Sequence, residues 1–185
     1  MIDDVLTDAA RRMDKSVDTA KHEFTTIRTG RASAALLDRV QVNAYGTKMP
    51  VNQLATIGVP EPRLLTITPF DKSIMKDIER AIQESDLGLT PSNDGQIIRL
   101  PIPQLTEERR KELVKQVRHM AEEGRVAARN VRRDAIHNLK KLEQDGDAGA
   151  DDVHRAEDRL QKVTDEHVQQ IDAALKAKEA EIMEV

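Results

Sequence analysis

The chain has 185 residues, with 29 Lys and Arg against 33 Asp and Glu, a formal net charge of −4, and no cysteine. That length suits one domain or two small ones and suffices to bury a core. The composition excludes disulfides and thiolate chemistry, and with no apolar run of about 18 residues no membrane span is expected.

The N-terminus, Met1-Ile2-Asp3-Asp4, is acidic and no long apolar stretch follows it, so no signal or transit peptide is expected. These features fit a reducing cytoplasm, the expected location. The only aromatics are Phe24, Tyr45 and Phe70. A base-stacking platform for single-stranded nucleic acid is therefore not expected.

Residues 2–27 read as a first helix. Ile2, Leu6, Ala9, Met13, Val17, Ala20, Phe24 and Ile27 recur every three or four residues, which places them on one face. Gly30 stands just beyond, where a glycine ends a helix.

Residues 31–105 have another texture. All seven prolines lie there. Val40-Gln41-Val42, Leu64-Leu65-Thr66-Ile67 and Gln96-Ile97-Ile98-Arg99-Leu100 read as short strands, and Tyr45-Gly46-Thr47-Lys48 as a hairpin turn. One short helix fits between Asp71 and Leu87, with Asp71 as its N-cap and Ile74, Ile78 and Ile82 on one side. Pro101-Ile102-Pro103 favours extended backbone and marks the exit.

Thr106 then caps a second long helix, running to about Gln144. Two stripes run along it. Leu113, Val117, Met120, Ala127, Val131, Ala135 and Leu142 form the expected core face. Arg118, Arg125, Arg129 and Arg132 form a second face, with Arg133 beside them, centred about 130° from the first at about 100° per residue. After a loop at Asp145–Gly149 a third helix follows. Val153, Ala156, Leu160, Val163, His167, Ile171, Leu175 and Ile182 mark its inward side.

Charge is segregated. Residues 109–133 hold nine Lys and Arg against three acids, whereas residues 143–185 hold five against thirteen. Whole-chain charge is then a poor guide to partners. Arginine forks bind phosphate in bidentate fashion, and a rigid helix suits structured RNA read through its backbone. Glu122 and Glu123 are near enough to neutralise some of the arginines as a solvated face would. Arg28 and Gly30 fit a helix C-terminus; Arg31, past the glycine, is less well explained that way.

No enzyme site emerges. The five histidines form no close pair of metal-ligand spacing. Counting from Asp145, Ala150 and Ala156 stand where a calcium loop needs Gly and Glu. No phosphate-binding loop, dinucleotide fingerprint or nucleophile elbow is present.

Three amphipathic helices bury their stripes only together. The expected fold is therefore α+β: a three-helix bundle of residues 1–30 and 105–185, with a small β/α/β domain of residues 31–104 inserted between the first two helices. Two adjacent linkers, at Gly30 and Arg31 and at Pro101, Pro103, Gln104 and Leu105, make an expected hinge. The alternative function is a helical scaffold whose basic stripe meets an acidic protein partner.

Arg28-Thr29-Gly30-Arg31-Ala32-Ser33 resembles the motif ending the first helix in bacterial ribosome recycling factors, also called ribosome-releasing factors. Asp86-Leu87-Gly88-Leu89-Thr90-Pro91-Ser92-Asn93, Leu105-Thr106-Glu107-Glu108-Arg109-Arg110, Glu122-Glu123-Gly124-Arg125 and Asn130-Val131-Arg132-Arg133 are similar to that family as well, in order and over the whole chain. Ala34 departs from it, since many members carry proline there.

The resemblance implies an L-shaped, hinged molecule of roughly transfer-RNA shape, expected to act as a monomer. Such a factor works with elongation factor G and GTP to split the post-termination ribosome into reusable subunits. It implies no catalytic residue and no cofactor, GTP being used by the partner. It implies contact with large-subunit ribosomal RNA through Arg28, Arg31, Arg129, Arg132, Arg125 and Arg133.

Overall fold

The structure is a computed structural model describing residues 1–184. It divides into two compact units, Met1–Arg28 with Thr106–Val185, and Thr29–Leu105. The chain thus crosses between them twice, at 28/29 and 105/106.

The first unit is helical. Helix α1 spans Ile2–Thr25, α4 spans Glu107–Gln144 and α5 spans Ala150–Met183. In α1, Leu6, Ala9, Met13, Val17, Ala20 and Phe24 are buried, the stripe that the spacing predicts. The helix closes at Thr25, two residues short of the expected end, and Ile27 bonds back to Phe24 in a tightened last turn. Thr106 caps α4 as expected, its hydroxyl accepting from Arg109 N at 3.1 Å.

The buried stripe of α4 differs from the expected one. It consists of Leu113, Val117, Ala121, Gly124, Ala128, Val131, Ala135 and Leu139, while Met120, Ala127 and Leu142 are only half-buried. The expected stripe ran through Met120 and Ala127, one residue before Ala121 and Ala128, and passed over Gly124, yet close helix packing here favours the small residues. A Cβ on Gly124 would stand 3.0 Å from the Ala20 Cβ and 3.3 Å from Ile171 Cδ1. Here α1 and α5 both close on α4. On α5 the inward positions are Val153, Ala156, Leu160, Thr164, His167, Ile171 and Ile182, with Val163 and Leu175 half-buried.

The second unit holds two sheets. Strands β1 (Gln41–Ala44) and β2 (Thr47–Pro50) form a hairpin. Its turn is only Tyr45-Gly46, with φ 53° and 80° as a two-residue type I′ turn requires. Thr47 and Lys48 belong to the strand rather than to the turn. A single helical turn, α2 (Val51–Leu54), leads into β3 (Ala55–Glu61).

With β4 (Leu64–Pro69), β5 (Ser92–Asn93) and β6 (Ile98–Pro101), β3 forms an antiparallel sheet of order β3-β4-β6-β5. Strand β3 has no counterpart among the expected runs because Gly58 and Pro60 interrupt its pattern. An edge strand tolerates both, and its register shifts between Gly58 and Glu61. Gln96 stays outside β6 because its amide and that of Ile97 turn onto Asp94 Oδ1.

Asp71 caps a 3₁₀ turn through Ser73 N, and helix α3 (Met75–Glu84) follows it. Ile74, Ile78 and Ile82 join Val42, Leu54, Leu65, Ile67, Ile98 and Leu100 in this unit's own core. Burial at about 25 cal/mol per Å² of apolar surface makes that core, like the one in the bundle, the main source of stability.

Candidate nucleic-acid interface

The arginines of α4 do not form one uniform row. Arg118 donates to Glu179 of α5 at 2.6 Å. Arg125 donates to Asp172 of α5 at 2.6 Å and to Glu122 one turn earlier at 3.0 Å. The hydrogen bond to Glu179, with that acid's negative charge, holds the Arg118 guanidinium above its ordinary value. For Arg125, burial opposes the charge, but the hydrogen bonds and negative charge of Glu122 and Asp172 outweigh it, so its value is also raised. Its side chain is only 19% exposed.

These two therefore lie along the α4/α5 seam with their charge matched. Arg125 is thereby turned largely away from solvent, whereas Arg118 stays 64% exposed. The signal was in the sequence: Arg118 and Arg125 are spaced by seven, and so are Asp172 and Glu179, the pairing two antiparallel helices produce.

Arg129 reaches Glu122 only at 3.5 Å and stays exposed. Arg132 is half-buried and Arg133 exposed; among the described residues no acid lies within ion-pairing distance of either. The three lie within little more than one turn of a helix held on both sides, so the backbone that carries them needs no ordering before they meet a ligand. Forked guanidiniums on such a scaffold can take phosphate oxygens in bidentate fashion.

Arg28 is exposed and is the last residue of the first unit's opening segment, while Arg31 is exposed and belongs to the second unit. The structure thus brings Arg125, Arg129, Arg132 and Arg133 together on α4 and leaves Arg28 and Arg31 on other segments.

The expected linker residues are also unequal. Gly30 has φ 76°, and a Cβ there would meet Leu105 Cγ at 3.3 Å and Pro103 O at 3.6 Å. Only glycine suits that conformation and that space. Pro101 pairs with Leu64 at the end of β6, and Ile102 N donates to Arg63 O at 2.8 Å. Pro101 therefore belongs to the sheet, and the free connection shortens to Pro103, Gln104 and Leu105.

No group of three or more His, Asp or Glu among the described residues is placed to hold a metal ion. The most buried histidine, His167, bridges helices: its Nε2 lies 2.6 Å from Asp14 Oδ1 and its Nδ1 2.6 Å from Val163 O. Among the described residues no helix is long and apolar enough to cross a membrane.

Comparison with known proteins agrees over the whole chain. The family model for ribosome recycling factor matches residues 20–183. A ribosome-recycling factor of Rubrobacter xylanophilus is 62% identical over 180 residues, 97% of each chain. One of Halalkalibacterium halodurans is 56% identical over 185 residues, all of both chains.

Among solved structures, a solution structure of a ribosome recycling factor aligns with TM-score 0.69 at 42% identity, covering 100% of this chain and 98% of that one. Another, of the T. thermophilus ribosome recycling factor with E. coli elongation factor G on the E. coli post-termination complex, aligns with TM-score 0.62 at 44% identity over the full length of both. With its fold, its motifs and its relatives in agreement, the chain belongs to the ribosome recycling factor family.

Proposed function

We propose that this chain, acting as a monomer in the cytoplasm, works with elongation factor G and GTP to split the post-termination ribosome into its subunits. The observation carrying this reading is the pair Arg132 and Arg133, unmatched by any acid among the described residues, on a 38-residue helix clamped by two others. Membership of the family and the solved relative placed with elongation factor G on a post-termination complex support it.

In this mechanism Arg129, Arg132 and Arg133 hold the bundle to phosphates of large-subunit ribosomal RNA, with Arg28 and Arg31 extending the contact. Arg125 contributes more by fixing α4 on α5 than by free charge. The linker residues Gly30 and Pro103 to Leu105, next to the two chain crossings, act as a hinge on which the small unit is displaced by elongation factor G. The anchored bundle then transmits that displacement to a contact between subunits. The chain performs no bond chemistry and needs no cofactor of its own; GTP hydrolysis belongs to the partner.

Light scattering of post-termination ribosomes tests this. A fall in scattering that requires this protein, a matched elongation factor G and GTP together is the expected result. No fall despite tight ribosome binding would overturn the splitting role, and no binding would overturn the RNA-anchoring role as well.

A further inference from the structure

Two of the three aromatic residues stand in solvent on the small unit, one bonded to Asp71 through its ring and the other next to that acid in the chain. Tyr45 is 66% and Phe70 70% exposed, whereas Phe24 is buried in the bundle. Scattered exposed apolar residues are ordinary, but the Tyr45 ring is held through its hydroxyl and Phe70 through its backbone. The Tyr45 hydroxyl donates to Asp71 Oδ2 at 2.6 Å, and Phe70 is the residue before Asp71. The Phe70 amide donates to Leu54 O at 3.0 Å, and Asp71 Oδ1 accepts from Ser73 N at 2.9 Å. Backbone on both sides of the acid is therefore fixed.

Tyr45 also has φ 53°, a left-handed conformation that bulky residues rarely adopt. Asn, Asp or Gly would serve the same turn without strain, so turn geometry does not account for a tyrosine there.

Besides Asp71, three cations stand close to the two rings in the chain. Lys48 follows the turn on β2, and Lys72 and Lys76 follow Asp71. All three are exposed, and among the described residues no acid lies within ion-pairing distance of them. Asp71 itself is engaged by Tyr45 and Ser73. A tethered ring and a second exposed one, with unmatched cations close by in the chain, have the composition of a site for an unpaired nucleotide. Any base stacks on an aromatic face, and lysines meet the adjoining phosphates.

We propose that the Tyr45–Phe70 corner of the small unit is a second RNA-binding site, which stacks an unpaired base while Lys48, Lys72 and Lys76 meet its phosphates. It is separate from the arginine stripe, which reads backbone alone. The scarcity of aromatics argued against stacking; their exposure reverses that argument.

Tyr45 is the only tyrosine and the chain has no tryptophan, so intrinsic emission reports on this one ring. The full-length protein is titrated at low salt with a short single-stranded RNA of mixed sequence. Saturable quenching of that emission is expected. Anisotropy of the labelled RNA should show affinity lowered roughly five- to hundredfold by Phe70→Ala or by Tyr45→Leu. Tyr45→Phe, which keeps a ring, should lose less. Lys72→Gln should make the salt dependence shallower by about 0.7 in log–log slope.

Both rings are exposed, so these truncations leave the core intact, which far-ultraviolet circular dichroism verifies. An Arg132→Ala, Arg133→Ala background separates the two sites, and quenching should persist there. RNA binding without any change in Tyr45 emission, and with parental affinity in both ring variants, overturns the proposal even if the stripe binds RNA as expected. A weakened response to elongation factor G with unchanged RNA affinity in the ring variants assigns the corner to a protein partner and overturns it too.

Discussion

Arg125 of α4 donates to Asp172 of α5 at 2.6 Å, and Arg118, two turns earlier, makes the equivalent bond to Glu179. The same antiparallel register, carried one further step of seven, leads to Arg132 and Asp165. There the ladder stops. Asp165 accepts instead from Gln161 Nε2 at 2.8 Å, and Arg132 is left without an acid. A stripe that looks uniform in sequence is thus divided into arginines that hold the bundle together and arginines available to a ligand.

Arg132→Ala and Arg125→Ala should therefore fail in different ways. Arg132→Ala is expected to weaken ribosome binding and flatten its salt dependence with an unchanged urea midpoint. Arg125→Ala is expected to cost about 1 kcal/mol of stability, since a mostly buried guanidinium with two acid partners is lost while both acids stay partly solvated. Urea denaturation beside ribosome sedimentation separates them; equal stability of the two variants would refute the division.

At the point where three helices converge, Gly124→Ala is expected to destabilise the protein despite a better helix former. The added methyl stands 3.0 Å from the Ala20 Cβ, which has no rotamer by which to yield. Overpacking costs about 1–3 kcal/mol and outweighs the roughly 1 kcal/mol gained by removing a helix-interior glycine. A urea midpoint at or above the parent's would show that α1 yields at this crossing.

The helices were legible because each has a long stripe and, in α4, a capping Thr106. The stripe of α4 was misplaced in its middle because packing there selects the small residues Ala121, Gly124 and Ala128, and hydropathy does not separate them from Met120 and Ala127 beside them. The small unit was legible where β-branched runs meet turn residues, and illegible at β3, where Gly58 and Pro60 are acceptable only because the strand is an edge. The arginines were visible, but their partners on α5 lie about 50 residues away in sequence or more. Only the matched spacing of seven on both helices pointed to them.

His167 of α5 is 6% exposed, and its ring nitrogens lie against Asp14 of α1 and the Val163 carbonyl. Replacing it with Ala removes both bonds and leaves a cavity between α1 and α5. A loss of about 2–3 kcal/mol is expected, with ribosome affinity unchanged where the protein remains folded. Asp14→Ala should cost less, because the acid is largely exposed and can be replaced by water. Calorimetric or urea unfolding checks the order; equal costs would show that the Asp14 bond, not packing, carries the effect.

The bond between Tyr45 and Asp71 gives the small unit a defined pH window. Hydrogen bonding to Asp71, then partial desolvation and the charge of Asp71, raise the Tyr45 value above the ordinary one near 10. The same bond, with those from Ser73, lowers Asp71 below the usual carboxylate range. For Tyr45, a raised folded value means that its contribution is complete below about pH 10 and is lost as pH rises through the folded value. For Asp71, a lowered folded value means a contribution present above about pH 3.9 and lost as pH falls through the folded value. The hairpin tip should thus stay pinned from mildly acid to mildly alkaline pH. Because Tyr45 is the only tyrosine, tyrosinate absorbance titrates it alone. The expected midpoint lies above 10 and returns toward the ordinary value in Asp71→Asn, whose neutral amide accepts a weaker bond and no longer repels the phenolate. Coincident titrations of parent and variant would mean that the ring is not held by Asp71 in solution, and the preorganised corner would lose its support.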